Sequence, residues 1–485
     1  MKPVISKVVE ISKNQSIVCI IGDDKIPKWL LLNEKERDFA EEKLSTKENH
    51  VYINSYGRCI YLVRQTDDAN LFKVREEVRK EAANLKKTIL SNSHTELVIT
   101  SSAAYDGAIE DFAEGFILSV YSFDKYKTRS KEGNEKVPSK LLLLGDTTDE
   151  KIKWLTDMTD AVYFVRNMIN EPVNHLNTAL FAEEVQRLSD SSGFGVEVLT
   201  KGKIEALKMG GLLAVNKGSV DPPLFSILEW KPAGHFNKNP VVLVGKGIMY
   251  DTGGLNLKPG DYMSGMHGDM AGAATMAGVM SVVAKNNIPL HIVALLPSTD
   301  NRPGGNAFAQ GDIITMHNGM TVEVGNTDAE GRLILADAIS YASKYSPELI
   351  IDIATLTGSA AMTFGNQAIA LMSNADRKYI NLIAECGNDV YERISELPLW
   401  EEYGELLKSD VADTNNIGKG RDAGAITAGK FLEKFAEFPL IHLDIAGTSM
   451  LKSDDFYRVK NGTGSGLRLL AVFLRKLSEN YNKLK

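Results

Sequence analysis

The sequence is poor in the residues from which many metal and disulfide sites are built. Its 485 residues include only three cysteines and eight histidines. Cys19, Cys59 and Cys386 are far apart and odd in number, so neither a disulfide framework nor a CxxC metal knuckle is available. No HExxH motif occurs. Any metal site must therefore depend mainly on carboxylates, and a reducing, cytoplasmic location is expected.

Long apolar runs and an excess of basic residues are also missing. No segment approaches the roughly 18 apolar residues of a membrane span. The first segment, MKPVISKVVEISKNQ, has charged or polar residues every few positions, so we expect neither a signal peptide nor a membrane anchor. Acidic residues number 63 against 55 basic ones, for a net charge of −8. Proteins that bind phosphate backbones are usually basic, so this balance argues against a nucleic-acid partner.

The length of the chain predicts more than one domain, because a domain usually has about 100 to 200 residues. In the first part, apolar strand patterns alternate with helical ones such as LFKVREEVRKEAANLKKTIL at 71–90. A further helix is predicted to end at Glu171-Pro172, because the residue before proline disfavours the helical conformation. The expected organisation is an N-terminal α/β domain at 1–148, a connecting helix at 149–170 and a C-terminal domain at 171–485.

The second part contains near-continuous apolar runs, namely VVLVG (241–245), IVALL (292–296) and LIIDIA (349–354). Such runs are typical of strands covered on both faces, as in parallel sheets. The predicted fold class is α/β, with two α/β domains that are each a sheet flanked by helices. The larger C-terminal domain should have a mainly parallel central sheet, and its functional site should lie at the strand ends.

Two segments of the C-terminal part are dense in charged residues and glycine. VGKGIMYDTGGLNLKPGDYMSGMHGDMAGAATMAGVM (244–280) carries Lys246, Asp251, Lys258 and Asp269, and VEVGNTDAEGRLILADAISYA (322–342) carries Asp328, Glu330 and Arg332. Gly245-Lys246-Gly247 fails both phosphate-binding motifs. GxxxxGK[ST] needs Ser or Thr at position 247, and GxGxxG needs glycine at position 250. Phosphate binding is therefore disfavoured.

A carboxylate-rich site for two metal ions is the interpretation that these residues favour. Four carboxylates formally neutralise two divalent cations, and two-metal sites recur in hydrolases; the four are Asp251, Asp269, Asp328 and Glu330. Lys246 could add a neutral amine, because a lysine beside cations loses its proton more readily than one in water. The alternative is that the acids only cap helices and the glycines only form turns. Spacing alone does not name the reaction.

The segment NTDAEGRL (326–333) resembles the signature of the leucyl aminopeptidase family, the dizinc cytosolic M17 peptidases. Seven further segments resemble that family in the same order: VGKGIMYDTGGLNLKP (244–259), HGDMAGAAT (267–275), NRPGGNAFAQGD (301–312), ATLTGSA (354–360), SDVADTNNIG (409–418), RDAGAITAGKFL (421–432) and HLDIAGTSM (442–450). The resemblance covers 171–485, whereas the N-terminal part is similar only in size and α/β pattern. It implies an enzyme that releases N-terminal amino acids, preferably leucine and other apolar residues, from peptides.

Carried over position by position, the resemblance implies five metal ligands: Lys246, Asp251, Asp269, Asp328 and Glu330. Asp251 and Glu330 would bridge both ions, Lys246 and Asp269 would complete the tighter site, and Asp328 would complete the more exchangeable one. Each subunit would bind two divalent ions, with Zn²⁺ and Mn²⁺ as the first candidates. Co²⁺ and Mg²⁺ are alternatives, because carboxylate oxygens accept all four metals.

The resemblance also implies that Lys258 and Arg332 are the catalytic side chains. A metal-bridging water would attack the scissile carbonyl, and cationic Lys258 would stabilise the charge of the tetrahedral intermediate. Arg332 cannot act as a base because its pKa exceeds ~12. In the family it holds a bicarbonate ion that accepts the proton of the water. The implied substrate-binding positions are Lys258, Met266, Asn326, Ala329, Thr355 and Gly358.

The implied partners are peptides with a free N-terminus, whose neutral amine would bind a metal, and further copies of the chain in a homohexamer. Two rival functions stay open. One is a dinuclear metallohydrolase of another substrate class, such as phosphoesters, since two metals with Lys and Arg also suit that chemistry. The other is a catalytically silent binding or scaffold protein. The complete ligand set argues against this second rival.

Overall fold

The computed structural model describes residues 2–22, 25–30, 32–103, 105–128, 136–420 and 422–481. The chain forms two compact units: unit 1 comprises Met1–Asp160 with Ser453–Lys460, and unit 2 comprises Ala161–Lys452 with Asn461–Lys485. This division falls inside the helix that the sequence predicts as a connector. The domain boundaries inferred from the sequence remain a proposal.

Unit 1 is built on a sheet to which six described strands contribute, in the order β1-β6-β5-β2-β4-β3. Neighbouring strands are parallel except for the β3–β4 hairpin. The strands are β1 (Val4–Val8), β2 (Ile17–Ile21), β3 (His50–Asn54), β4 (Cys59–Arg64), β5 (Glu96–Ser101) and β6 (Lys140–Leu144). The helices are α1 (Glu34–Ser45), α2 (Leu71–Ser91) and α3 (Ala108–Ser119), and α4 (Asp149–Asn170) begins here and ends in unit 2.

A buried ionic network in unit 1 joins α2 to α3. The guanidinium of Arg79 lies 2.6 Å from Asp111 Oδ1 and 2.6 Å from Glu114 Oε2. Tyr457, from the segment Ser453–Lys460, donates a hydrogen bond to Glu76 Oε2 at 2.7 Å. A segment near the end of the chain is therefore part of the N-terminal unit, which the sequence analysis did not predict.

Unit 2 has a sheet of nine described strands in the order β16-β15-β18-β14-β9-β11-β8-β7, with β10 beside β11. They are β7 (Gly195–Leu199), β8 (Leu224–Trp230), β9 (Val241–Gly245), β10 (Gly247–Asp251), β11 (Ile292–Asn301), β14 (Leu349–Ala354), β15 (Ile369–Ser373), β16 (Ile394–Glu396) and β18 (Leu440–Asp444). The short strands are β12 (Ile313–Thr315), β13 (Thr321–Glu323), β17 (Thr414–Asn415), β19 (Met450–Leu451) and β20 (Asn461–Gly462). The central strands β18, β14, β9 and β11 are parallel, whereas β8, β7 and β15 join antiparallel.

Helices of unit 2 fill the connections between these strands. They are α5 (Thr178–Ser192), α6 (Lys201–Ala206), α7 (Gly210–Asn216), α8 (Ala271–Lys285), α9 (Gly331–Ala342), α10 (Gly358–Phe364), α11 (Arg377–Asp389), α12 (Glu402–Glu405), α13 (Gly424–Glu433) and α14 (Leu467–Glu479). Short 3₁₀ turns occur at Lys28–Leu30, Gly260–Met263, Met266–Gly268 and Ser343–Tyr345. Among the described helices, none is both long and apolar enough to cross a membrane.

The apolar runs at 241–245 and 349–354 form β9 and β14, and both strands are completely buried. The predicted α/β fold class with a mainly parallel central sheet is confirmed. Helix α8 packs directly on this sheet at its first turn, where all residues are small. A Cβ built on Gly272 would lie only 2.2 Å from the carbonyl oxygen of Ile353. This close packing brings the amino end of α8 to the carboxyl ends of the strands.

Candidate metal centre and active site

The charged residues of the two dense segments meet where the parallel strands of unit 2 end. Lys246 follows β9, and Asp251 is the last residue of β10. Asp269 lies just before α8, and Glu330 immediately precedes α9. The site therefore combines strand ends with the amino ends of two helices, where the helix dipole favours negative side chains.

Lys246 is buried, with 3% of its surface exposed. Its backbone N–H donates to Ile353 O at 3.2 Å, and its carbonyl accepts from Ala273 N at 2.8 Å. Its Nζ lies 2.8 Å from Asp269 Oδ2 and 3.0 Å from Glu330 Oε1. Burial opposes the charge of Lys246, but attraction to the carboxylates outweighs it and raises the pKa of the ammonium. Both ends of this residue are therefore fixed.

Lys258 occupies the other side of the cluster. Its Nζ lies 2.7 Å from Asp251 Oδ2 and 2.6 Å from Asp328 Oδ1. Its backbone N–H donates to the carbonyl of Thr252 at 2.9 Å. Burial opposes its charge, but attraction to Asp251 and its neighbours dominates and raises the pKa of Lys258. The side chain is cationic at neutral pH.

The four carboxylates are crowded and mostly buried. Single oxygens of Asp251, Asp328 and Glu330 lie within 4.8 Å of one another. Burial, with repulsion from Asp251, raises the pKa of Glu330 to about 8. Burial likewise raises the pKa of Asp269 to about 6, and it raises the pKa of Asp328. The two lysines that contact these acids would not offset four ionised carboxylates, and the raised pKa values reflect this shortage of positive charge.

The donor set fits divalent cations. Carboxylate oxygens are the ligands that Mn²⁺ and Mg²⁺ prefer, and Zn²⁺ also accepts them. Added cations would supply the missing positive charge and would favour the neutral amine of Lys246. The interpretation of these acids as mere helix caps is not supported for Glu330, whose side chain makes no capping hydrogen bond to α9.

A glycine at the start of α9 makes room for Lys246. A Cβ built on Gly331 would lie 2.4 Å from Lys246 Cε and 2.6 Å from its Nζ. Real Cβ contacts are essentially never this short. Because Lys246 is pinned at both ends, a side chain at position 331 would displace the ammonium from the carboxylates.

Arg332 follows in the first turn of α9 and is 8% exposed. Its Nη1 donates to the carbonyl of Asn416 at 2.6 Å. Among the described residues, no carboxylate forms an ion pair with Arg332 within 4.0 Å. The buried Nε of Arg332 has no hydrogen-bond acceptor among these residues. Burial lowers the pKa of Arg332 to about 10, so the guanidinium is still cationic at neutral pH. The site thus contains a buried cation with spare donors.

Two of the predicted substrate-binding positions contact the cluster directly, besides Lys258. The hydroxyl of Thr355 donates to Asp269 Oδ1 at 2.7 Å, and its carbonyl accepts from Lys246 Nζ at 2.9 Å. Asn326 Oδ1 accepts from Asp328 N at 2.8 Å. Of the remaining positions, Ala329 lies between two of the acids and Met266 in the 3₁₀ turn before Asp269, whereas Gly358 is at the start of α10.

Two asparagines of the quoted motifs contact the site although the sequence analysis gave them no role. Asn301, at the end of β11, donates from Nδ2 to Asp251 Oδ1 at 2.8 Å. Asn416 is buried and accepts from Gly325 N at 2.7 Å through its Oδ1. Both lie in segments that resemble the family, and that resemblance was the only signal in the sequence that could have identified them. Arg421, in the segment at 421–432, lies outside the described residues.

Comparison with known protein families shows which family the chain belongs to. The profile of the cytosol aminopeptidase family, catalytic domain, matches residues 163–471, which is more than half of the chain. The chain belongs to the cytosol aminopeptidase family. As a member of this family, it is a metal-dependent aminopeptidase, and the two rival functions raised from the sequence are not favoured.

Relatives of this aminopeptidase match along most of their length. A probable cytosol aminopeptidase of Chloroherpeton thalassium is 40% identical over 91% of both chains. One from Chlorobium phaeobacteroides is 44% identical over 76% of this chain and 75% of its own. Among solved structures, the bottromycin maturation enzyme BotP in complex with Mn has a TM-score of 0.84 and 26% identity, covering 96% of this chain and 100% of that one.

The close approach of Gly331 to Lys246 generates a prediction. We expect Gly331→Ala to reduce the aminopeptidase activity about 100-fold, because displacements of about 1 Å in an active site can have effects of that size. Gly202→Ala in α6 is the matched control, since a Cβ there meets nothing within 4 Å. Rates and thermal midpoints should be measured together. Parent-like activity of Gly331→Ala would contradict the packing argument.

Proposed function

We propose that this aminopeptidase uses two divalent metal ions to release N-terminal residues, preferably leucine and other apolar ones, and so acts as a leucyl aminopeptidase. The observation that carries the proposal is the convergence of four carboxylates and a buried lysine in a site that is short of positive charge. The proposed ligands are Lys246, Asp251, Asp269, Asp328 and Glu330. A cytoplasmic role in peptide turnover is part of the proposal.

The proposed division of ligands is the one that the family resemblance implies, in which both ions would share Asp251 and Glu330. Lys246 and Asp269, whose charged groups are 2.8 Å apart, would complete one metal site. Asp328, with 32% of its side chain exposed, would complete the second and more exchangeable site. Zn²⁺ and Mn²⁺ are the preferred candidates, with Co²⁺ and Mg²⁺ as alternatives; BotP has been solved with Mn.

When bound, two such metal ions would activate a water for attack and polarise the scissile carbonyl. Lys258 would donate to the oxygen of that carbonyl as negative charge develops, and its raised pKa keeps it cationic for this task. Arg332 would hold a bicarbonate ion as proton acceptor. Its guanidinium is suited to this, because it is buried and cationic and forms no ion pair within 4.0 Å with a carboxylate of the described residues.

The same arrangement accounts for action at a free N-terminus. A neutral α-amine can bind a metal ion, whereas the nitrogen of an internal peptide bond cannot do so equally well. The proposed substrate-binding residues are Lys258, Met266, Asn326, Ala329, Thr355 and Gly358. A methionine in such a pocket suits apolar first side chains, because its flexible thioether adapts to their shapes.

The proposed specificity can be tested with three substrates. We expect the protein, supplied with Mn²⁺ or Zn²⁺, to hydrolyse leucine p-nitroanilide and to leave N-acetyl-leucine p-nitroanilide and p-nitrophenyl phosphate uncut. The released products, p-nitroaniline and p-nitrophenolate, are both yellow and absorb in overlapping ranges, so one absorbance assay with two calibrations serves all three. Equal cleavage of the acetylated substrate would refute the role of the free amine, and cleavage of the phosphate ester alone would favour the phosphoesterase alternative.

Two substitutions separate metal binding from charge stabilisation. We expect Asp269→Ala to abolish activity and to weaken Mn²⁺ binding at least about 10-fold, since it removes a ligand. Lys258→Ala should lower kcat about 100- to 1,000-fold, the range seen when a donor to a developing oxyanion is lost, and should keep two ions per chain. Metal content measured by atomic absorption, beside kcat, distinguishes them. Loss of metal in Lys258→Ala would refute its assigned role.

We further propose that the protein assembles as a homohexamer, as the family resemblance implies. Light scattering of the purified protein should then give six times the mass of one chain. A mass equal to a single chain at micromolar concentration would contradict this part of the proposal and would leave the proposed chemistry unaffected.

A further inference from the structure

We propose that Asn301 is a positioning residue that holds Asp251 and Glu330 in the orientation in which they bind two metal ions. This inference rests on the proposed function, in which these two carboxylates bridge the ions. It adds a residue from the segment NRPGGNAFAQGD, for which the sequence analysis and the proposed mechanism leave no role.

One side-chain amide reaches both carboxylates. Asn301 is completely buried, and its Nδ2 lies 2.8 Å from Asp251 Oδ1 and 3.3 Å from Glu330 Oε2. The same nitrogen lies 3.1 Å from the carbonyl oxygen of Thr327. These acceptors come from two separate segments, so Asn301 connects the end of β10 with the loop before α9.

The orientation of the amide follows from these neighbours. Three oxygen atoms surround the Nδ2 position, and all three belong to acceptors, namely two carboxylates and one carbonyl. Both carboxylates are ionised when they bind metal, so placing the Asn301 oxygen there would bring four acceptors together without a donor. The donor end of Asn301 must therefore face the carboxylates.

The amide fixes one oxygen of each carboxylate and leaves the other toward a lysine. Asp251 uses Oδ1 to accept from Asn301 and from Gly253 N, while its Oδ2 lies 2.7 Å from Lys258 Nζ. Glu330 uses Oε2 to accept from Asn301, while its Oε1 lies 3.0 Å from Lys246 Nζ. Each carboxylate plane is thus held in place from the side of Asn301.

A neutral donor is suited to this task. A lysine or arginine at position 301 would also orient the carboxylates, but its charge would repel cations. The amide orients them and leaves their negative charge for the metals. Groups that hydrogen-bond to metal ligands in this way fix ligand orientation and usually affect metal affinity strongly.

The backbone of Asn301 is equally fixed. Asp251 on β10 pairs with Asn301 on β11. The register of the two strands shifts between Ile248 and Asp251. The carbonyl of Asn301 accepts from Thr252 N at 3.0 Å and from Thr252 Oγ1 at 2.8 Å. The residue therefore has little freedom to follow a carboxylate that moves, which a positioning role requires.

The test compares Asn301→Ala and Asn301→Leu, which both remove the donor, with Asn237→Ala. Asn237 is also completely buried in unit 2, but its Nδ2 donates only to the backbone oxygens of Asn239 and His291. Mn²⁺ binding is measured by calorimetry, and electron paramagnetic resonance reports whether two bound ions are magnetically coupled. Thermal midpoints record the effect of each variant on folding.

We expect both Asn301 variants to bind at least one Mn²⁺ ion about 10- to 100-fold more weakly than the parent. Their spectra should change from a coupled pair toward isolated ions, and added Mn²⁺ should restore part of their activity. Asn237→Ala should lower the thermal midpoint and keep the parent's affinity and coupled spectrum. Asn301→Leu nearly preserves the shape of the side chain, so it retains the test if Asn301→Ala does not fold.

Parent-like affinity and coupling in a folded Asn301 variant would overturn the inference. So would failure of both Asn301 variants to fold while Asn237→Ala folds, because the residue would then serve folding instead of metal binding. A parent protein that binds no pair of Mn²⁺ or Zn²⁺ ions would be a different result, since it would refute the proposed two-metal function itself.

Discussion

The active-site region depends on the burial of one lysine among carboxylates. A buried ammonium is costly unless carboxylates surround it closely. Lys246 meets this requirement because its backbone is held by Ile353 and Ala273, while its Nζ reaches Asp269 and Glu330. The strand β9, the helix α8 and the start of α9 are therefore tied to one point. The loops of the candidate metal centre are arranged around that point.

Small residues and helix ends allow these charged side chains to converge beside a tightly packed sheet. Gly272 lets α8 approach β14, and Gly331 lets Lys246 pass under the start of α9. The acids Asp269 and Glu330 then lie at the amino ends of these helices, whose dipoles favour negative charge. Close packing and electrostatics thus require each other here, because the carboxylates can meet only if the helices approach closely.

Neutral amides connect the loops that carry the charges. Asn416 accepts from the backbone of Gly325 and Asn326, and its own carbonyl accepts from Arg332. Asn301 contacts Asp251 at the end of β10 and Glu330 just before α9. Amides can donate and accept hydrogen bonds without adding charge. They can therefore order the loops and leave the negative charge of the carboxylates available to cations. A charged residue in either place would alter that balance.

The sequence by itself determined the α/β class and the buried parallel strands, and it indicated the charged residues of the candidate site, because apolar runs and dense local motifs such as NTDAEGRL are readable without tertiary contacts. Only the tertiary structure decided that Asn301 faces Asp251 and Glu330, and that Tyr457 joins unit 1 through Glu76. These contacts join residues that are tens to hundreds of positions apart, and no periodicity or spacing encodes them. The sequence indicated which charged residues form the candidate site, and the tertiary structure decided which neutral side chains hydrogen-bond to them.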